Sequence, residues 1–179
     1  PKKKPDIFLN TWKVDYLNKF NDWNYTLWND EKVDDLFKKD YKDFDINILK
    51  NIYYNESEYY CKADIARLLI LYNYGGIYID ADSVWINNKN LENIINLSKY
   101  TGMFGAYEPN KDHLANGVIG CTKKNKNILY LIMELIKMKD TYSSIRKKNH
   151  CWKVTGPLLF NKINKNITKL DSKYFYPVG

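Results

Sequence analysis

Between Ser57 and Tyr74 apolar positions run almost unbroken, which predicts a long buried helix ending on Gly75 in a left-handed C-terminal position. A second apolar helix is expected at "NILYLIMELIKM" (127–138), and a third at "EKVDDLFKKD", where Val33, Leu36 and Phe37 share one face below a cap at Asp30. Shorter helices are predicted at "KVDYLNKF", "LENIINL" and "GPLLFNKI", the last with Pro157 in its first turn. Strand-like runs are "DIFLNTW" (6–12), "NYTLWND" (24–30), "IYID", "VWI" (84–86), "GMFGAY" and "NGVIGC". Strands alternating with helices predict an α/β layer fold, and neither a repeat nor a long linker divides residues 1–179, so one domain is expected.

The run "NYGGIYIDADSVW" ends an apolar strand on two aspartates, Asp80 and Asp82. If the strand continues through them, Tyr78, Asp80 and Asp82 project from one face, with alternate positions about 6.6 Å apart. Carboxylates so close repel and need a cation, and hard oxygen ligands of this kind suit Mg²⁺ or Mn²⁺. An exposed acidic turn without function is the plain alternative. In the preceding helix, "ADIARLLILY" holds only two charges, Asp64 and Arg67, three residues apart on one face. Either they neutralise each other inside the core, or both line the site that the strand aspartates face, since Gly75-Gly76 returns the chain directly from helix to strand.

Composition narrows the partners. The chain has 179 residues, 28 of them Lys or Arg, and a net charge of +7. Such a surface invites a nucleic-acid reading, but only Arg67 and Arg146 are arginine, and base-edge recognition leans on arginine. Nucleic acid is therefore not the expected partner. Cys61, Cys121 and Cys151 form an odd, widely spaced set without a CxxC pair, so neither a disulfide framework nor a zinc site is expected. No apolar run reaches membrane-spanning length. The expected setting is the cytoplasm, or a soluble domain cut from a longer or membrane-anchored chain.

Two chemistries use paired aspartates at a strand end. Haloacid-dehalogenase-like phosphatases open on an apolar strand followed by DxDx and Thr or Val, which "IYIDADSV" satisfies with Asp80 as nucleophile. They also carry a paired-acid motif after a later strand, and Glu108, Asp112, Glu134, Asp140 and Asp171 form no such pair. The other chemistry is sugar transfer from a nucleotide diphosphate. "KADIARLLILYNYGGIYIDADSVWI" (62–86) resembles the DXD-motif sugar transferases of glycosyltransferase family 32, related to yeast-type mannosyltransferases and to clostridial glucosylating toxin domains. Weaker echoes are "FLNTWK" (8–13), "YTLWND" (25–30), "ANGVIG" (115–120), "TGPLLF" (155–160) and "FYP" (175–177).

The resemblance implies a GT-A-like fold, a mixed central sheet flanked by helices, and a retaining, metal-dependent transfer of a hexose from a UDP- or GDP-sugar to a glycan or protein acceptor. It implies that Asp82 holds Mn²⁺ or Mg²⁺ on the donor diphosphate, with Asp80 contacting the ribose and, through water, the metal. Asp64 and Arg67 would hold donor hydroxyls, and Asp80, Asp82 and Arg67 would carry the chemistry. Trp12 would stack on the nucleobase, unless it is ordinary core packing; Tyr78 would line the donor site; Asn116 and Gly117 would approach the sugar, unless that pair is a hairpin turn. His113 and His150 are candidates for acceptor contact or a further metal ligand. The family usually continues to a His- and Trp-containing tail, so a trimmed C-terminus is expected and the third metal ligand is unassigned.

Overall fold

The structure, a computed structural model, describes residues 6–16, 23–84 and 91–176. Its elements in chain order are α1 (Asp6–Asn10), a π-helical turn (Thr11–Tyr16), α2 (Asp30–Leu36), α3 (Ile46–Asn55), α4 (Tyr59–Tyr74), β1 (Gly76–Ile79) and α5 (Leu91–Leu97). They continue with β2 (Met103–Tyr107), β3 (Leu114–Cys121), α6 (Lys126–Lys137), α7 (Tyr142–Lys148), α8 (Cys151–Val154), α9 (Pro157–Phe160), β4 (Thr168–Leu170) and a 3₁₀ turn (Ser172–Tyr174).

The four strands form one mixed sheet in the order β1-β3-β2-β4. β3 lies antiparallel to both β1 and β2, and β4 lies parallel to β2. Three strands therefore point one way and β3 the other, so the ends of β1, β2 and β4 share an edge with the start of β3. Residues two apart face alike in a strand. Tyr78, Ile119 and Met103 pack into the large core with α4, α6 and α9, whereas Phe104, Ala106 and Leu170 join Ile94 and Tyr174–Tyr176 in a smaller core on the opposite face.

Helix α4 is the axis of the fold. Cys61 and every residue from Asp64 to Tyr72 are buried, because the helix touches β1 as well as α2, α3, α6 and α8. It stops at Gly75, whose N–H donates to Leu71 O at 2.8 Å. Gly75 has φ 66° with ψ −151°, so its φ is positive as expected, but the backbone swings straight into the strand instead of closing a left-handed turn. A Cβ here would fall 2.9 Å from Cys121 O and press on the Lys123 backbone, so only glycine fits.

Several expectations are corrected. Residues 6–12 are helical: a short apolar run reads equally as strand or helix, and Thr11 Oγ1 donates back to Phe8 O at 2.7 Å, which closes a helical turn. Residues 24–29 join no ladder, and Asn24–Trp28 line a cavity instead of pairing with a neighbouring strand. Asn29, not Asp30, caps α2, accepting from Lys32 N at 3.1 Å. The expected strand at 84–86 and the end of the helix at 13–20 lie outside the described residues, save Val84 and the turn to Tyr16.

The cysteine expectation also fails. Cys61 on α4 and Cys151 on α8 are paired as a disulfide with Cα atoms 5.6 Å apart. Spacing along the chain could not announce this, because packing of α8 on α4 brings together residues 90 positions apart. Closing a loop of that length contributes about 4–5 kcal/mol by chain entropy. Beside it, Glu56 accepts from Arg146 Nε at 2.6 Å, Arg146 Nη2 at 3.2 Å and Tyr142 Oη at 2.7 Å. Burial pushes the Glu56 carboxyl up, but these hydrogen bonds and the adjacent guanidinium outweigh it and hold the group down at about 2. Glu56, Cys61 and Cys151 are close enough to hold a metal ion, yet Arg146 already supplies the counter-charge and the sulfurs are spent on each other.

Candidate active site

The site is built where α4, β1 and β3 meet. Asp64 and Arg67 lie on adjacent turns of α4, and Arg67 Nη1 donates to Asp64 Oδ1 at 2.8 Å. Its Nη2 donates to Asp80 Oδ1 at 2.9 Å, so one guanidinium clamps a helix carboxylate and the carboxylate that follows β1. Sequence reasoning left open whether Asp64 and Arg67 merely pair; they pair and face Asp80 together. The Tyr78 ring covers the guanidinium, its centroid 4.6 Å from Cζ.

Asn116 Nδ2 donates to Asp64 Oδ1 at 2.9 Å across from β3. The Asn116-Gly117 pair is thus mid-strand and not a hairpin turn, and Gly117 O accepts from Asp80 N at 2.9 Å, which pins the aspartate to the sheet. Gly117 leaves room for the carboxylate: an added Cβ would sit 3.0 Å from Asp80 Oδ2 and 3.2 Å from Tyr176 Oη.

The strand ends at Ile79, and Ala81 and Asp82 occupy a turn in which Ser83 N donates to Asp80 O at 3.0 Å. Asp82 therefore does not share a strand face with Tyr78 and Asp80, as alternation required; the chain turns before the pattern completes, leaving Asp82 exposed. Trp12 comes to this turn from the N-terminal π-helical segment, its Nε1 donating to Ser83 O at 3.1 Å.

Electrostatics follow from this packing. Burial raises the Asp64 carboxyl above the ordinary aspartate range, and Arg67, Thr155 and Asn116 pull it back only in part. Asp80 is raised by burial first, with the charges of Asp82 and Asp64 adding and Arg67 and Tyr78 opposing. Burial works against the Arg67 charge, but Tyr78, Asp80 and Asp64 hold it protonated. Arg67 Nε is buried with no partner among the described residues. The centre thus holds more negative charge than one arginine neutralises.

A cavity of about 720 Å³ opens along the free edge of β1. Its walls include Trp12, Tyr25, Trp28, Tyr78, Asp80 and Ser83, so Trp12 and the strand aspartate share one space. Lys32 and Lys39 also line it, so the lysine surface is not wholly remote from the carboxylates.

Two contributors escaped sequence reasoning. Thr155 Oγ1 donates to Asp64 Oδ2 at 3.0 Å, and Tyr176 Oη accepts from Val118 N at 3.0 Å beside Asp80. Both stand in the segments "TGPLLF" and "FYP", whose residues carry no local signal for these contacts. The two histidines are engaged by other partners: His113 Nε2 meets Glu108 Oε2 at 2.8 Å, and His150 caps α8.

Comparison with known proteins supplies the frame for this geometry. Over 82% of its length the chain is 30% identical to an uncharacterized glycosyltransferase of Acanthamoeba polyphaga mimivirus, covering 62% of that protein. It is 27% identical to inositol phosphoceramide mannosyltransferase 3 of Schizosaccharomyces pombe, over 77% of this chain and 39% of the yeast protein. The chain thus spans under two thirds of either relative. Among solved structures, the PaToxG glycosyltransferase superposes with a TM-score of 0.54 at 22% identity, over 82% of this chain and 48% of that one. The ligand-free glycosyltransferase domain of the YGT toxin gives 0.55 at 12% identity, over 94% and 57%. These likenesses establish a GT-A-like fold. Residues 10–101, which contain Asp64, Arg67, Asp80 and Asp82, match the family described as the glycosyltransferase sugar-binding region containing DXD motif, and the chain belongs to that family.

Proposed function

We propose that this chain is one catalytic domain of a metal-dependent, retaining glycosyltransferase that moves a hexose from a UDP- or GDP-sugar to an acceptor hydroxyl. The observation that carries the reading is the convergence of Asp64, Arg67, Asp80 and Asn116 at the strand-end edge of the sheet, where α/β folds bind ligands. Paired aspartates whose charges raise each other's cost suit a hard divalent cation that keeps waters and substrate phosphates as its other ligands. Asp82, exposed in its turn, and Asp80 would hold Mn²⁺ or Mg²⁺, which supplies charge for the departing diphosphate.

The chain's own residues do the positioning. Arg67 fixes the Asp64 and Asp80 carboxylates, leaving Asp64 and Asn116 as a ready set of hydrogen-bond partners for sugar hydroxyls. Trp12 and the aromatic cavity wall take the nucleoside, and Lys32 and Lys39 add positive charge along it. In the transfer, the bond from the anomeric carbon to the diphosphate oxygen breaks, the acceptor oxygen bonds to that carbon, and the acceptor proton leaves on the released diphosphate. Retention asks for no dedicated general base, and we assign none.

The test is incubation with UDP- and GDP-hexoses and Mn²⁺. The expected result is release of nucleoside diphosphate and free or transferred sugar, stopped by EDTA. Phosphate release from p-nitrophenyl phosphate with no action on any nucleotide sugar would overturn the reading for the phosphatase. The phosphatase has lost ground because β1 has only the antiparallel β3 as partner among the described residues. We propose no role for nucleic acid, since both arginines are engaged in ion pairs. No helix among the described residues is long and apolar enough to cross a membrane, and the Cys61–Cys151 disulfide favours an oxidising compartment over the cytoplasm.

Gly117→Ala probes the geometry with little change of composition. Overpacking costs about 1–3 kcal/mol when nothing yields, and here the partly exposed Asp80 side chain is what yields. Thermal stability should fall little, while Mn²⁺-dependent affinity for UDP or GDP, measured by calorimetry, drops about tenfold, equivalent to about 1.4 kcal/mol. Full affinity in this variant would remove Asp80 from the donor site.

A further inference from the structure

We propose that the stacked rings of Trp152 and His113 form a platform for a pyranose ring of the acceptor. The inference rests on the transferase reading above and extends it to the substrate that reading left open.

The sheet places the platform. β1 and β2 run in the same direction with β3 opposed between them, so Asp80 after β1, Glu108 after β2 and His113 before β3 stand at one edge. His113 is held there by Glu108 at 2.8 Å, with Asp112 Oδ1 3.8 Å from its other nitrogen. Trp152, on α8, lies nearly parallel to the His113 ring, at 12° with centroids 6.1 Å apart. The tryptophan residue stays 42% exposed, so part of its ring surface is open to a ligand.

The Trp152 backbone lies close to the Asp64 carboxylate. A Cβ at Gly156 would lie 2.9 Å from Trp152 Cα and 3.1 Å from Asp64 Oδ2, so the tryptophan main chain and the Asp64 carboxylate are separated only by that glycine. Thr155, three residues after Trp152, donates to the same carboxylate. On the other flank, Tyr60 stands one helical turn before Asp64 on α4 and stacks on His150 at 15° with centroids 5.7 Å apart, both rings beside α8. Both aromatic stacks thus involve α8, whose C-cap Thr155 holds the Asp64 carboxylate, and none of the four residues lines the cavity along β1.

That chemistry matches a sugar ring. A pyranose offers an apolar face of C–H groups, which suits an exposed aromatic face, and a rim of hydroxyls, which suits the Glu108 and Asp112 carboxylates at the platform's edge.

The experiment uses methyl pyranosides of common hexoses as probes. Saturation-transfer NMR should show a pyranoside bound to the native protein, with that signal lost in Trp152→Ala and restored in Trp152→Phe. With a nucleotide sugar present, the ratio of transfer to hydrolysis should fall at least tenfold in Trp152→Ala, through the pyranoside KM, and recover in Trp152→Phe. Tyr100→Ala, which removes a still more exposed ring beyond α5, should leave the ratio as it was. Pyranoside binding and transfer indifferent to Trp152, or transfer to a peptide hydroxyl alone, would overturn the platform. Absence of nucleotide-sugar turnover in the native protein sinks the transferase reading instead, and the NMR arm then decides the platform by itself. His113→Ala serves as the second variant if Trp152→Ala does not fold.

Discussion

Asp82→Asn is expected to abolish Mn²⁺-dependent binding of UDP or GDP while the protein unfolds at nearly the native temperature. The side chain stands exposed in the turn after β1, where a neutral isostere disturbs no core packing, and such surface changes lie within about 0.5 kcal/mol. Binding should respond quite differently. Loss of an outer-shell partner alone costs about 10–100-fold in metal affinity, and a direct carboxylate ligand should cost at least that. Asp80→Asn should lose metal-dependent binding too, but with a measurable stability change, since Asp80 Oδ1 accepts from Arg67 and its backbone N–H is tied to Gly117 O. Calorimetric titration of GDP and UDP with and without Mn²⁺, beside thermal unfolding of each variant, separates the two. Unchanged metal-dependent affinity in Asp82→Asn would defeat the metal assignment.

The parts legible in the sequence were those fixed by local pattern. α4, α6, β2 and β3 followed from apolar runs bounded by glycine or asparagine, and two charges in an apolar helix joined to a strand by Gly75-Gly76 made the Asp64–Arg67–Asp80 triangle one of two readings, beside an internal ion pair. α3 carries the same kind of signal, with Asp45 as its cap and Leu49, Ile52 and Tyr53 at helical spacing, but is not among the expected helices. The failures share another cause. Alternation puts Asp82 on a strand face only if the strand runs three residues beyond the last ladder pair, Ile79 with Val118. Thr155, Tyr176 and the Cys61–Cys151 pair reach their partners only because α8 and the C-terminal segment pack back on α4 and the sheet, which no local period encodes.

Arg67→Ala should be the most damaging single change outside the hydrophobic core. The guanidinium is buried and ion-paired with both Asp64 and Asp80, so its removal leaves two carboxylates facing each other without the charge that held them. Breaking a buried pair in this way costs about 3–5 kcal/mol. The loss should depend on pH with a definite sign. Burial already lifts the folded-state Asp64 carboxyl above its unfolded value, so this group favours the fold below the unfolded pKa and that contribution disappears as pH rises through the folded one. Without Arg67 the folded value climbs further, the neutral acid becomes the stable form over a wider range, and the variant should recover stability relative to the native protein on going from neutral toward acid. Urea unfolding at a series of pH values reads this directly. The double variant Arg67→Ala/Asp64→Asn then separates structure from function: removing the orphaned charge should return much of the stability, while nucleotide-sugar binding stays lost because the clamp on Asp80 is gone. A double variant that regains both would reduce Arg67 to an internal counter-ion with no part in the donor site.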